Sequence, residues 1–236
     1  MNGAGLAARY AFPPNRHGYC GSSSFRPALR DFLRGKKPPK SLEPELKKFR
    51  THYAYLILIA RENGLRPFDP EVVEALWIGN SLLENVSERA LRSFIRDLFP
   101  SDPSRVKELV GGLPDGVVPH HSFNALYINF VTDAVEKTTE NYDSCCVTAG
   151  EIVSLSQKSA LVRRFSIARD KDGFYLGTVA DEVALERNRV RLVEPVSAGD
   201  LVSVHWGMAV QKLSRNEFEA LKKYTRMNLD AVNSGV

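Results

Sequence analysis

The spacing of apolar residues changes near residue 140, and this change limits the folds that the chain can adopt. Before it, apolar residues recur every three to four positions, as in Val72, Val73 and Leu76, which is the spacing of a helix face. After it, β-branched residues alternate with polar ones, which is the period of a strand. The sequence therefore predicts an α+β fold, with an all-helical domain at residues 1–140 and a β-rich domain at residues 141–236.

Helices are predicted from this spacing and from residues that start helices. Asp69, Pro70 and Glu71 have the order of an N-cap, a first-turn proline and a first-turn acid. The segment at residues 9–25 combines prolines, glycines and serines, so it is not expected to be one regular element. Five helices are predicted, at residues 44–63, 70–83, 87–98, 103–110 and 122–135.

The second part predicts a small barrel or sandwich, because its strands are short and separated by turn residues such as Gly173 and Gly199. Ser214 and Glu217 form a capping box, which predicts a C-terminal helix. Strands are predicted at residues 147–155, 160–167, 174–179, 183–192 and 201–211.

The bulk composition excludes some classes of protein. The chain of 236 residues is 43% apolar and 25% charged, as in globular proteins, and its net charge of +4 does not indicate a nucleic-acid partner. The longest apolar run is far shorter than the ~20 residues that span a bilayer, and residues 1–10 lack the pattern of a signal peptide. Three cysteines without a secretion signal favour the cytoplasm and reduced thiols. We expect neither a nucleic acid nor a membrane as a partner.

Two segments carry the clearest functional signal. Cys145 stands five residues before Gly150, where a valine-rich strand is predicted to begin. The segment Gly199-Asp-Leu-Val-Ser-Val-His205-Trp-Gly207-Met-Ala precedes the predicted final helix. Together they resemble the two signature ends of the HypC/HupF family of hydrogenase-maturation chaperones, in which a cysteine opens the first strand. The positions that match the second signature are Gly199, Asp200, Val202, Val204, His205, Gly207 and Ala209.

This resemblance implies a small OB-like β-barrel with a C-terminal helix, acting as a chaperone or carrier and not as an enzyme. It implies that Cys145 helps to hold an Fe(CN)₂CO unit, iron with cyanide and carbonyl ligands, and that His205 is a second functional position. The implied partners are hydrogenase maturation proteins or the hydrogenase large subunit. A thiolate is a soft ligand that suits low-spin iron, and an imidazole can ligate or orient it. Here the cysteine is internal and follows Ser144, whereas the family's cysteine follows the initiator methionine.

The helical part offers further candidate ligands in loops, where binding residues concentrate. Cys20 lies in the glycine-containing stretch after Arg16, and His120 and His121 lie at the start of a predicted helix. We expect Cys20 and one of the two histidines to approach Cys145 and His205. The helical part would then supply a ligand that a partner supplies to the small chaperones.

Each candidate also has an ordinary structural interpretation. Cys145 is also compatible with a small buried hydrophobe, His205 with a hydrogen-bonded core histidine, and His120 or His121 with a helix cap. His17 and His52 are predicted to be surface residues, and Cys146, Trp77 and Trp206 to serve packing.

Two alternative functions remain open at this point. One is a cysteine-dependent enzyme in which a histidine activates Cys145 or Cys20. The other is an OB-like module that binds single-stranded nucleic acid, which the nearly neutral charge of residues 141–236 disfavours.

Overall fold

The computed structural model describes residues 2–19, 21, 23–36, 42–132, 134–193 and 195–235. It has an α+β architecture, in which a helical N-terminal part precedes a five-stranded sheet and a long C-terminal helix. The predicted fold class and the order of the two parts are therefore confirmed. Within the described ranges, none of the helices combines the length and the apolar character needed to cross a membrane.

The helical part consists of short helices joined by turns. A 3-10 turn precedes α2, another spans Ser81–Asn85, and a π-helical turn at Asn124–Ile128 joins α8 to α9. The helices are α1 (Gly3–Arg16), α2 (Arg26–Leu33), α3 (Glu43–Leu46), α4 (Arg50–Glu62), α5 (Pro70–Trp77), α6 (Glu88–Leu98), α7 (Pro103–Gly111), α8 (His121–Phe123), α9 (Asn129–Thr132), α10 (Thr139–Cys145) and α11 (Arg215–Ser234).

Local capping explains where several helices begin. The Ser87 hydroxyl accepts a hydrogen bond from the amide of Ala90, and α6 starts at Glu88, the residue after Ser87. The predicted capping box of α11 is confirmed, because Ser214 and Glu217 each bond the other's backbone amide. These ends were predictable because a cap is a local interaction between residues three apart.

Two helical predictions were wrong in extent. The segment at residues 44–63 forms two helices, α3 and α4, and the helix starting at Pro70 ends at Trp77 because Gly79 adopts φ +95°. The segment at residues 9–25 is not one regular element, as predicted. Its first part completes α1, which continues through Pro13 and Pro14, and a 3-10 turn spans Ser23–Phe25.

The sheet closes on itself in the strand order β1-β2-β3-β7-β6. Its neighbours are antiparallel, apart from a short parallel contact between Ala184 and Met208. Two further strands form a separate ribbon. The strands are β1 (Thr148–Leu155), β2 (Ser159–Asp170), β3 (Gly173–Ala184), β4 (Glu186–Arg187), β5 (Val190–Arg191), β6 (Leu201–His205) and β7 (Met208–Leu213).

Two predicted strands are hairpins in the structure. Residues 201–211 fold into β6 and β7, because Trp206 and Gly207 adopt φ +48° and +68° and reverse the chain in a two-residue turn. Residues 183–192 comprise the end of β3 and the β4–β5 ribbon, which turns at Asn188 and Arg189, with φ +53° and +59°. A tight turn without the usual Asn-Gly or Asp-Gly signal was not visible in the alternation of apolar residues.

The closed sheet and the helical part are joined by a continuous hydrophobic core. Helix α1 contacts β6 and β7, and α11 contacts both the sheet and α8. The Asn228 side chain on α11 accepts from the amide of Val118 and donates to its carbonyl and to Ser122. We call the boundary between the helices and the β6 end of the sheet the seam; it holds the candidate site.

Candidate functional site

The structure brings Cys145 and His205 together at the seam. The Nε2 atom of His205 lies 3.2 Å from the carbonyl oxygen of Cys145, and the two residues are 1% and 9% exposed. The amide of Trp206 also donates to the carbonyl of Ser144, at 3.2 Å. The turn after β6 is thereby fixed to the end of α10, so the two segments of the predicted signature meet in space.

Cys145 does not open the first strand, and this prediction was wrong. It is the last residue of α10, and β1 begins at Thr148. The helix starts because the Thr138 hydroxyl accepts from the amide of Asn141. Cys146 is fully buried and follows α10 as its C-cap, which agrees with a packing role.

His205 is held by a carbonyl group that a proline releases. In an α-helix, residue 14 would donate to the Tyr10 carbonyl four positions earlier, but it is a proline and has no N–H. The Nδ1 atom of His205 lies 2.9 Å from that oxygen. Pro14 thus leaves free the acceptor that orients an imidazole 195 positions later than Tyr10 in the chain.

The protonation of His205 follows from its surroundings. Burial lowers its pKa to about 4, although the Tyr10 and Cys145 carbonyls partly oppose this shift. At neutral pH the ring therefore carries one N–H, yet both nitrogens face carbonyl oxygens. A neutral ring can donate to only one of these two oxygens, so the other ring nitrogen presents its lone pair to a carbonyl oxygen.

His121 completes the pair of imidazoles around Cys145. Its Nε2 lies 3.1 Å from the same Cys145 oxygen, and its ring meets that of His205 edge-on with 5.4 Å between centroids. Burial, followed by the nearby His205 ring, holds the pKa of His121 well below its ordinary value. The expected approach of one helical histidine to Cys145 and His205 is confirmed for His121.

His120 has a different position. Its Nδ1 accepts from the amide of Ser122 and so caps α8, and burial lowers its pKa to about 3. It is absent from the wall of the cavity beside Cys145. His120 thus corresponds to the capping interpretation. Cys20, the other candidate ligand from this part of the chain, lies outside the described residues.

A cavity of about 220 Å³ opens beside Cys145. We call it the seam cavity. Its wall includes His121 and His205, and it reaches the surface near Thr51 and Tyr19, which are exposed. Trp77 forms the centre of the wall, with its ring 4.3 Å from His121 and 5.4 Å from His205. The core position predicted for Trp77 is confirmed.

Two residues of the seam cavity were missed by the sequence. His52 was expected at the surface, but its two ring nitrogens are buried and have no hydrogen-bond partner in the ranges that the structure describes. Burial lowers its pKa to about 4. The available signal was helical spacing, since His52 shares a face of α4 with Tyr55, Leu56 and Ile59. The second is Asn129, whose Nδ2 lies 3.5 Å from the sulphur of Cys145. No sequence pattern indicated this contact.

The predictions for the two remaining aromatic residues have opposite outcomes. His17 is exposed as expected, and it stacks on Trp206 with 5.1 Å between ring centroids. Trp206 was expected in the core, but it is only half-buried and lines the seam cavity. Its left-handed backbone places the ring at the turn between β6 and β7, where Tyr19 covers it.

Among the described residues, no group of three or more histidines, cysteines or carboxylates has the arrangement of a metal site. The seam cavity is lined by one thiol, that of Cys145, and by the three neutral imidazoles of His52, His121 and His205. Neutral imidazole and thiolate are the protonation states that a metal requires. Chemically, the arrangement can take part in a coordination sphere that other ligands complete.

The fold and the site define a class of protein in which a helical layer encloses a thiol and imidazoles against a closed five-stranded sheet. The chain belongs to a family of unknown function, DUF6390, whose model matches residues 1–236. No curated protein and no solved structure matches the chain.

Proposed function

We propose that this protein is a carrier or assembly chaperone for the iron unit of a metalloenzyme. In this proposal the closed sheet corresponds to the OB-like barrel of the HypC/HupF chaperones, and Cys145 is the thiol that holds the cargo. The partners are then hydrogenase maturation proteins or the hydrogenase large subunit. The cargo is iron, with cyanide and carbonyl ligands.

One observation carries the proposal: the buried His205 ring has two carbonyl neighbours but only one N–H. Its Nδ1 lies 2.9 Å from the Tyr10 carbonyl oxygen and its Nε2 lies 3.2 Å from the Cys145 carbonyl oxygen, and burial keeps the ring neutral. One ring nitrogen therefore faces a second acceptor, and two buried acceptors without a donor between them are unfavourable. A bound cation at this position would convert the repulsion into attraction.

The character of the donors supports iron as the cargo. Burial keeps His121 and His205 neutral, so no proton has to leave before a metal binds. A thiolate with imidazole suits a soft or borderline transition metal better than calcium or magnesium. One thiol and two imidazoles leave coordination positions for the cargo's own diatomic ligands and for a partner that receives it.

The internal position of Cys145 removes the terminal amine as a metal ligand, so another group has to take its place. The nitrogen of Cys145 belongs to a peptide bond in α10, so it cannot chelate as a terminal amine can. The helical layer instead brings His121 to 3.1 Å from the carbonyl oxygen of Cys145. We therefore assign to His121 the role of the additional ligand or orienting group.

The experiment compares two neighbouring cysteines. The full chain, Cys145→Ala and Cys146→Ala are isolated without oxygen from cells that make hydrogenase, and iron content and infrared spectra are measured. Cys146 is a matched control because it is adjacent in sequence, fully buried and not part of the cavity wall. We expect iron with cyanide and carbonyl stretches in the wild type and in Cys146→Ala, and their loss in Cys145→Ala.

Two results would contradict the proposal. The first is a wild-type protein without iron and without these stretches. The second is equal iron in Cys145→Ala and the wild type, which would place the metal elsewhere.

A further inference from the structure

The C-terminal turn of α1 is surrounded by arginines from three elements. Arg16 is the last residue of this helix. Arg26, at the start of α2, donates from Nη2 to the carbonyl of Asn15, at 2.8 Å. Arg187 on β4 donates from Nη2 to the carbonyl of Gly207, at 3.3 Å. The first of these bonds fixes the Arg26 guanidinium at the end of α1, and the second fixes the Arg187 guanidinium at the turn between β6 and β7.

Stacked rings connect this cluster to the seam cavity. His17, the residue after Arg16, stacks on Trp206, the residue before Gly207. Trp206 and Tyr19, which stack with 4.7 Å between ring centroids, both belong to the wall of the cavity. The arginines therefore lie next to the mouth of the cavity and not at a remote surface.

The positive charge of the cluster has no carboxylate partner. None of Arg16, Arg26 and Arg187 has an Asp or Glu oxygen within 4.0 Å in the part of the chain that the structure describes. Burial lowers the pKa of Arg16, and the charges of Arg187 and Arg26 lower it further. Like charges held this close repel each other, which costs folding free energy.

Hydrogen bonding in the cluster is also incomplete. Nη1 of Arg16 and Nε of Arg26 are buried and have no acceptor among the described residues. A buried charged donor without an acceptor is strongly unfavourable. The negative end of the α1 dipole and the Asn15 carbonyl offset part of this charge, but Arg16 Nη1 and Arg26 Nε still have no acceptor among the described residues.

We propose that Arg16, Arg26 and Arg187 form a binding site for an oxoanion, either a phosphate or a carboxylate group. Guanidinium groups match both anions, because their N–H groups form parallel, charge-assisted hydrogen bonds. One anion would satisfy the two free donors and neutralise part of the charge. This site uses neither Cys145 nor its histidines, so it is independent of the proposed iron cargo.

The test measures anion binding to the full chain by calorimetry and by thermal unfolding, both at constant ionic strength. The probes are inorganic phosphate and acetate, with chloride as the balancing ion. The variants are Arg187→Gln and Arg26→Gln. Arg191→Gln is the control, because Arg191 is an exposed arginine on the same β4–β5 ribbon.

We expect one of the two probes to bind and to raise Tm in the wild type and in Arg191→Gln. Binding should weaken about tenfold or more in Arg187→Gln and Arg26→Gln, since each removes a charged hydrogen bond. Without the anion, Arg187→Gln should be at least as stable as the wild type because it loses a repulsive charge.

The choice between probes identifies the source of the oxoanion. Binding of phosphate alone indicates a phosphate-bearing ligand, and binding of acetate alone indicates a carboxylate. The proposal is wrong if neither binds, or if all the variants bind with the affinity of the wild type.

Discussion

The interior of the closed sheet and the seam are both buried, but they are built from different atoms. The closed sheet holds an aliphatic cluster that includes Ile152, Val162, Leu185 and Val202. The wall of the seam cavity contains buried polar atoms that have no hydrogen-bond partner among the described residues. These atoms are both ring nitrogens of His52, Tyr55 Oη, Trp77 Nε1, Asn124 Oδ1 and Trp206 Nε1.

This difference separates a region that stabilises the protein from one that costs stability. Aliphatic burial contributes about 25 cal/mol per Å² of apolar surface removed from water. A buried polar atom without a partner costs about 1–3 kcal/mol. The sequence therefore retains at the seam groups that folding alone would disfavour, as expected for a site that binds something.

The largest expected effect is acid destabilisation that originates at the seam. Burial lowers the pKa of His52 and His205 to about 4 and that of His120 to about 3, and it also lowers the pKa of His121. Unfolded histidines take up protons near pH 6.5, so the unfolded state binds more protons below that pH. Stability should be constant above about pH 6.5 and fall as the pH decreases toward 4.

The expected slope is about 1.4 kcal/mol per pH unit for each buried histidine. Urea unfolding at a series of pH values measures it. His52→Phe is the control variant and should reduce proton uptake on unfolding by about one. An unchanged slope in this variant would show that His52 already titrates normally in the folded protein.

The second effect concerns the sheet interior. Leu185→Ala should lower the free energy of unfolding by about 2–5 kcal/mol, because it leaves a cavity in a dry aliphatic cluster. Leu161→Ala is the matched control, since Leu161 lies on the outer face of the sheet and is 38% exposed. Its cost should stay within about 0.5 kcal/mol. If urea unfolding showed the same loss of free energy of unfolding for both variants, the outer face of the sheet at Leu161 would be buried against another part of the protein.

The smallest effect distinguishes two histidines of the seam. His205→Phe should cost about 1–3 kcal/mol, because it removes the one N–H that the neutral ring donates to the Tyr10 or the Cys145 carbonyl. His52→Phe loses no hydrogen bond and should be neutral or stabilising by about 1 kcal/mol. Both are measured by urea unfolding at pH 7.5. If His52→Phe lowered the free energy of unfolding more than His205→Phe did, then His52, and not His205, would be the histidine with stabilising hydrogen bonds.

The sequence predicted the elements that depend on local patterns. The caps at Ser87 and Ser214 and the proline start of α5 follow from residues a few positions apart. The turn at Trp206 and Gly207 was not predictable, because it needs a left-handed tryptophan that neighbouring packing must stabilise. For the same reason, one strand was predicted where β6 and β7 form a hairpin.

The candidate site was predicted only in part. The resemblance selected Cys145 and His205, and the histidine pair suggested His121, which the structure places beside them. A third histidine in the wall of the seam cavity, His52, was assigned to the surface. Its apolar neighbours Tyr55 and Leu56 along α4 show the buried face, but a single histidine in such a face gives no sign of what it meets.

The sequence by itself determined the α+β class, the change from helices to strands near residue 140, and the residue types available for chemistry. Only the tertiary structure decided which of them meet. Pro14 leaves the Tyr10 carbonyl of α1 without its helical donor, and His205, 195 positions later than Tyr10, contacts that carbonyl. Periodicity reports which face of an element is buried. The partner across a seam depends on packing between distant segments, which no local pattern encodes.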